Sequence, residues 1–156
     1  MEETFLELIE EHQQIIHRVC GIYRDSPEDR EDLFQEVVFQ LWKAYPAYEA
    51  RSKFTTWMYR IALNTAMAVF RKKEVAMDLE EDMGRKYGAV GQTSVSENEE
   101  RLYESLRQLN DAEKAIVSLY LEDYSHREIG EIIGISENYV GVRMNRIKQK
   151  LKRILS

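Results

Sequence analysis

Residues 125–155 read SHREIGEIIGISENYVGVRMNRIKQKLKRIL, and this stretch decides the fold. Ser125 followed by Glu128 is a capping-box signature, so a helix starts there. Ile129, Ile132 and Ile133 give that helix one apolar side, and Gly134 stops it. Ser136 then caps a longer helix whose apolar residues, Val140, Met144, Ile147, Leu151 and Ile154, alternate steps of four and three. A short helix, a Gly-Ile-Ser break and a long second helix have the layout of a helix-turn-helix. Gly130 lies inside the first helix, where glycine costs roughly 0.5–1 kcal/mol against alanine, a cost tolerable where the neighbouring helix must approach closely.

From Asn138 onward the stretch holds six Lys or Arg and no Asp or Glu, although the whole chain carries 22 basic and 28 acidic residues. Arg143, Arg146, Lys150 and Arg153 form a cationic stripe beside the apolar one. Solvated helix faces ordinarily mix both signs for i,i+4 pairing, so an all-basic face points to phosphate. Asn138, Tyr139, Val142 and Asn145 are placed for base edges or thymine methyls, with the cations holding phosphates. Charge elsewhere also comes in blocks: residues 51–73 hold six basic and no acidic groups, whereas residues 1–50 hold four and twelve. Two basic blocks alternating with acidic ones mean that the net charge of -6 says little about partners.

The rest of the chain also reads as helix, with only two Pro and seven Gly in 156 residues. Phe5, Leu8, Ile9, His12, Ile15, Ile16 and Val19 predict a helix from about Glu3 to Tyr23. Ser26, Pro27 and Asp29 open a second helix that ends near Pro46, with Leu33, Phe34, Val37, Val38, Leu41, Trp42 and Tyr45 as its buried stripe. Phe39 falls almost opposite that stripe, amid Asp32, Gln35, Glu36 and Lys43, and is expected in water as an anchor for a partner. A third helix from about Lys53 to Lys73 carries Phe54, Trp57, Met58, Ile61, Ala62, Thr65 and Val69 on its apolar side. Its cations, Arg60 and Arg71 to Lys73, follow Arg51 and Lys53, and aromatics beside cations suit single-stranded DNA. Residues 74–95 show three Gly and no sustained periodicity, the signature of a linker. Ser96 with Glu99 and Asn110 with Glu113 mark two further helix starts.

The fold class is therefore all-α: two small helical domains, residues 1–73 and 97–156, joined by a linker over 74–96, the second a helix-turn-helix. Catalytic readings fare poorly. His12 and His17 sit among apolar neighbours, His126 is isolated, and there is no glycine-rich phosphate loop or metal-ligand cluster, so no cofactor or metal is expected. A single cysteine, Cys20, permits no intrachain disulfide, and no leader or bilayer-spanning run is apparent, so the default location is cytoplasmic without membrane insertion.

At this point a resemblance emerges. DLFQEVVFQLWKAY at 32–45 and FTTWMYRIALNTAMAVFRKK at 54–73 resemble region 2 of bacterial sigma factors. LNDAEKAIVSLYLEDY at 109–124, continuing through the stretch quoted above, resembles region 4. Two regions with only a short linker between them are similar to the extracytoplasmic-function (ECF) group. The resemblance implies binding of core RNA polymerase through Asp32, Gln35, Glu36, Phe39 and Lys43. It implies contact with the minus-10 promoter element through Arg51, Lys53, Arg60, Asn64, Arg71, Lys72 and Lys73, with the loop from Ala47 to Lys53 shaping a pocket for a flipped base, and with the DNA melted for initiation. Contact with the minus-35 element falls to Asn138, Tyr139, Val142, Arg143, Asn145, Arg146 and Lys150. An anti-sigma factor is a further implied partner. The chain departs from the family pattern at Gly141, where a Lys is usual, at Val142, a frequent small polar position, at Ala68 in place of an Asp and at Leu63 in place of an Arg.

Two other readings compete. A sigma-like decoy that binds only an anti-sigma protein would be expected to lose the cations on its DNA faces, and both basic blocks are intact. A simple helix-turn-helix repressor needs neither the Phe39 patch nor the first basic block.

Overall fold

The computed structural model describes residues 2–48, 53–79 and 97–156, and these are helical with no strand among them. The chain divides into two compact units, and among the described residues the first holds three α-helices and the second four.

In the first unit, α1 (Glu2–Tyr23), α2 (Pro27–Ala44) and α3 (Phe54–Leu79) pack pairwise against one another. Ser26 Oγ accepts from the Asp29 N–H at 3.0 Å and Pro27 occupies the first turn, so α2 starts where its sequence signals place it. Leu33, Val37 and Leu41 of α2 meet Phe5, Ile16 and Val19 of α1 and Met58, Ala62 and Ala66 of α3 in a core closed to solvent. Each of these side chains larger than alanine contributes roughly 1.5–3 kcal/mol through burial. The turn between α1 and α2 is tied by two arginines. The buried Arg24 guanidinium donates to the carbonyls of Tyr23 (2.9 Å) and Ala66 (3.0 Å), and Arg30 donates to those of Arg24 (3.1 Å) and Asp25 (3.0 Å). α1 is interrupted at His12, whose φ of -113° and ψ of 18° leave the helical region.

α3 runs six residues beyond the Lys73 at which its expected end lay. Glu74, Val75, Ala76, Met77, Asp78 and Leu79 include no glycine or proline, and no helix breaker occurs before Gly84. Residues 80–96, the rest of the expected linker together with the Ser96 cap, lie outside the described residues. A 3₁₀ turn at Tyr45–Ala47 follows α2, and its Tyr45 and the neighbouring Tyr48 stack into a cluster with Phe54 and Trp57. Tyr48 and Trp57 have ring centroids 4.8 Å apart, so the two ends of the intervening loop are held together by aromatic packing.

The second unit consists of α4 (Glu97–Arg107), α5 (Asp111–Leu121), α6 (His126–Ile133) and α7 (Glu137–Leu155). α7 packs against the other three. Two of the expected capping boxes are complete, at Asn110 with Glu113 and at Ser125 with Glu128, and Ser136 Oγ accepts from the Tyr139 N–H at 3.1 Å. Gly134 ends α6 with a φ of 93°, a left-handed conformation that favours glycine. Gly130 is required for another reason. A Cβ there would lie 2.5 Å from the carbonyl oxygen of Ile135, because the chain after Gly134 folds back over α6 and donates from the Gly134 and Ile135 N–H groups to the Gly130 oxygen at 2.7 and 3.0 Å. Leu106, Ile116, Leu119, Ile129, Val140, Met144 and Ile147 form the core, while Leu151 and Ile154 of the same α7 stripe are half-buried.

Candidate functional site

Three helix surfaces carry the functional residues expected from sequence. On α2, Asp32, Gln35, Glu36, Phe39 and Lys43 recur at three- and four-residue spacing on the side opposite Leu33, Val37 and Leu41. Phe39 is 52% exposed at the centre of that face. Lys43 Nζ lies 5.5 Å from the Phe39 ring centroid, a cation–π contact, and Gln40 donates to Glu36 Oε2 at 2.8 Å. Beside this face opens an apolar groove of about 530 Å³ lined by Phe5, Leu6, Phe34, Val38, Phe39 and Trp42.

Trp42 corrects the expected buried stripe of α2, because it is 42% exposed. The core takes only one edge of the wide apolar arc, at Leu33, Val37 and Leu41, and Trp42 lies at the other edge, touching Phe5 edge-on at 5.1 Å with its remaining surface in the groove. Leu6 was not singled out from sequence, yet it is 61% exposed on the same groove. The signal that flags Phe39 is present for it also, since Leu6 falls off the 5-9-16-19 stripe of α1.

Lys53, immediately before α3, and Arg60, Asn64 and Arg71 on it follow one another at intervals of seven, four and seven, which places the three helical ones along a single line of the helix. Lys53, Arg60 and Asn64 are exposed. Arg51 lies outside the described residues, as do the side chains of Arg71, Lys72 and Lys73, whose backbone continues α3. Phe54 and Trp57 are half-buried in the aromatic cluster, in keeping with their place on the apolar side, and Tyr59 is in the core.

On α7, Asn138, Asn145 and Arg146 are exposed, and Tyr139 and Val142 are 46% and 47% exposed. The Arg143 guanidinium lies 5.7 Å from the Tyr139 ring centroid, which holds both side chains on one flank. Lys150, expected in the phosphate-facing stripe, is differently engaged: its ammonium donates to Glu113 Oε1 of α5 at 2.8 Å. The same Glu113 oxygen accepts from the Asn110 N–H at 2.9 Å, closing the capping box of α5. Burial of this carboxyl works to raise its pKa. The Lys150 hydrogen bond, the Asn110 N–H and the charges of Lys150 and Arg143 outweigh that effect and hold it below the usual glutamate value.

Two family models match the chain in order: Sigma-70 region 2 over residues 8–75 and Sigma-70 region 4 over residues 99–151. The RNA polymerase sigma factor CarQ of Myxococcus xanthus is 30% identical over 128 residues, covering 80% of this chain and 74% of CarQ. The ECF RNA polymerase sigma factor SigW of Bacillus subtilis is 23% identical over 168 residues, covering 99% of this chain and 90% of SigW. The chain belongs to the sigma-70 family, in its ECF group. Among solved structures, the fold of this sigma factor is shared by the sigma factor RpoE of Bartonella quintana in complex with the anti-sigma factor NepR. The TM-score is 0.79 at 16% identity, over 98% of this chain and 97% of that one. No helix among the described residues of this sigma factor is long and apolar enough to cross a membrane.

Proposed function

We propose that this ECF sigma factor attaches to core RNA polymerase through the α2 face of Asp32, Gln35, Glu36, Phe39 and Lys43. In this reading α3 contacts the minus-10 element along Lys53, Arg60 and Asn64, with Arg51 and Arg71 to Lys73 extending that surface. α7 enters the major groove of the minus-35 element with Asn138, Tyr139, Val142, Arg143, Asn145 and Arg146. Residues 1–73 and 97–156 act as the two promoter-binding domains, and 74–96 as the linker. The protein carries out no reaction of its own and works in the cytoplasm, where polymerase and DNA are. An anti-sigma factor is a further partner, a reading supported by the similarity to RpoE, which has been solved bound to one.

The observation that carries this reading is Phe39, an aromatic held in water at the centre of a polar face and beside an apolar groove. Neither a DNA-binding repressor nor an isolated helix-turn-helix needs that surface. The test is transcription with purified protein, core polymerase and a library of promoter templates. Start-site-specific transcripts that depend on the protein are expected. Binding to duplex DNA with no association with core polymerase would overturn the reading in favour of a repressor, and binding to an anti-sigma protein alone in favour of a decoy.

A further inference from the structure

Gly141 lies on the DNA-facing side of α7, three residues after Asn138 and four before Asn145, so all three share one flank of the helix. Unlike Gly130, it is not demanded by packing. A Cβ at Gly141 would meet only the His126 ring, with Nδ1 at 3.6 Å and Cε1 at 3.9 Å, both ordinary van der Waals separations. Glycine weakens a helix interior relative to alanine, yet here it leaves bare backbone with an imidazole standing beside it. His126 is the first residue of α6 and is half-buried, and neither ring nitrogen is hydrogen-bonded to another described residue. An imidazole offers an N–H donor in either protonation state. The two asparagines and this ring thus form a hydrogen-bonding flank, set apart from the flank where Arg143 covers Tyr139.

We propose that His126 is a DNA-contacting residue of the minus-35 surface, its imidazole taking the outward position left open by Gly141 and donating to an acceptor on the duplex beside Asn138 and Asn145. This inference rests on the reading of α7 as the minus-35 helix. The acceptor is either a purine edge, where N7 and guanine O6 accept in the major groove, or a phosphate oxygen.

The test uses the full chain bound to core polymerase. The wild type first selects its promoter from duplexes randomised across the minus-35 region, and that duplex then serves as the probe. His126→Ala removes the ring, whereas His126→Phe keeps a ring beside Gly141 and removes only the donor. Both variants are expected to bind the selected duplex roughly tenfold more weakly. With a base contact, repeated selection loses preference at one minus-35 position. With a phosphate contact, preference stays and affinity falls by the same factor across sequences. Wild-type affinity and base preference in His126→Phe would overturn the inference, since a ring that only packs is preserved there. If the wild type selects no minus-35 sequence at all, the reading of α7 falls together with the inference; if His126→Phe reproduces the selected sequence and its affinity, the inference alone falls.

Discussion

Replacing Lys150 by methionine keeps the aliphatic stem and removes the ammonium that donates to Glu113 Oε1 at 2.8 Å. A hydrogen bond to a charged group is worth about 1.5–3 kcal/mol, and the 41% exposure of the Lys150 side chain discounts it toward about 1–2 kcal/mol through solvent screening. Glu113, with its side chain only 8% exposed, then keeps the Asn110 N–H and the charge of Arg143 but loses its hydrogen-bonded countercharge. Glu113→Gln should cost a similar amount. The double variant should cost less than the sum, with a coupling of about 1 kcal/mol, because the two changes remove one shared interaction. Both tryptophans, Trp42 and Trp57, sit in the first unit, so the assay is hydrogen exchange of the α5 and α7 amides at neutral pH.

Acid provides an independent arm. The folded pKa of Glu113 is depressed, so its stabilisation is fully present above the ordinary glutamate value and is lost as pH falls through the lower folded value. Lys150→Met should weaken that acid sensitivity and Glu113→Gln should abolish this group's share of it. The salt slope of promoter binding should stay unchanged in Lys150→Met, whereas Arg146→Ala, which removes an exposed cation of the same helix, should make it shallower by about 0.9. Unchanged exchange in α5 and α7, together with a salt slope altered as much as in Arg146→Ala, would refute the scaffold role of Lys150 and return it to the phosphate surface.

The two helical glycines should respond oppositely to alanine. Gly130→Ala places a Cβ 2.5 Å from the Ile135 carbonyl and should destabilise the second unit by about 1–3 kcal/mol, while Gly141→Ala should stabilise it by about 0.5–1 kcal/mol, both readable by the same exchange experiment. Phe39→Ala should weaken binding to core polymerase by at least about tenfold and leave the melting temperature of the free protein unchanged, because the ring is half in water before binding; equal core affinity would remove that interface. The Cys20 thiol is pushed up to about 12 by burial, against the opposing charges of Arg24 and Arg30, so it should resist a disulfide reagent at pH 8 in the native protein and react in denaturant.

Most of the architecture was legible because its causes are local. Caps such as Ser26, Asn110, Ser125 and Ser136 act on amides three residues away, and the apolar steps of α7 repeat within a turn, so helix starts and core faces are written in short windows. Phe39 belongs to the same class, since the periodicity that buries Leu33, Val37 and Leu41 also excludes it. The end of α3 was less legible, because a basic run resembles a helix terminus while the residues after it are themselves helix formers.

What only the tertiary structure decided are the pairings between distant segments. Lys150 reads as one more cation of a stripe until packing brings it to Glu113, 37 residues away. No local signal links Arg24 to the Ala66 carbonyl, 42 residues on, to which its guanidinium donates. Trp42 belongs to an apolar arc whose period says which residues can be buried, but the extent of cover depends on where α1 and α3 lie. His126 meets Gly141 only because the helix-turn-helix folds α6 onto α7. Periodicity and capping set the faces of each helix by themselves; the partner of each face depends on packing angles and turns, which no window of sequence contains.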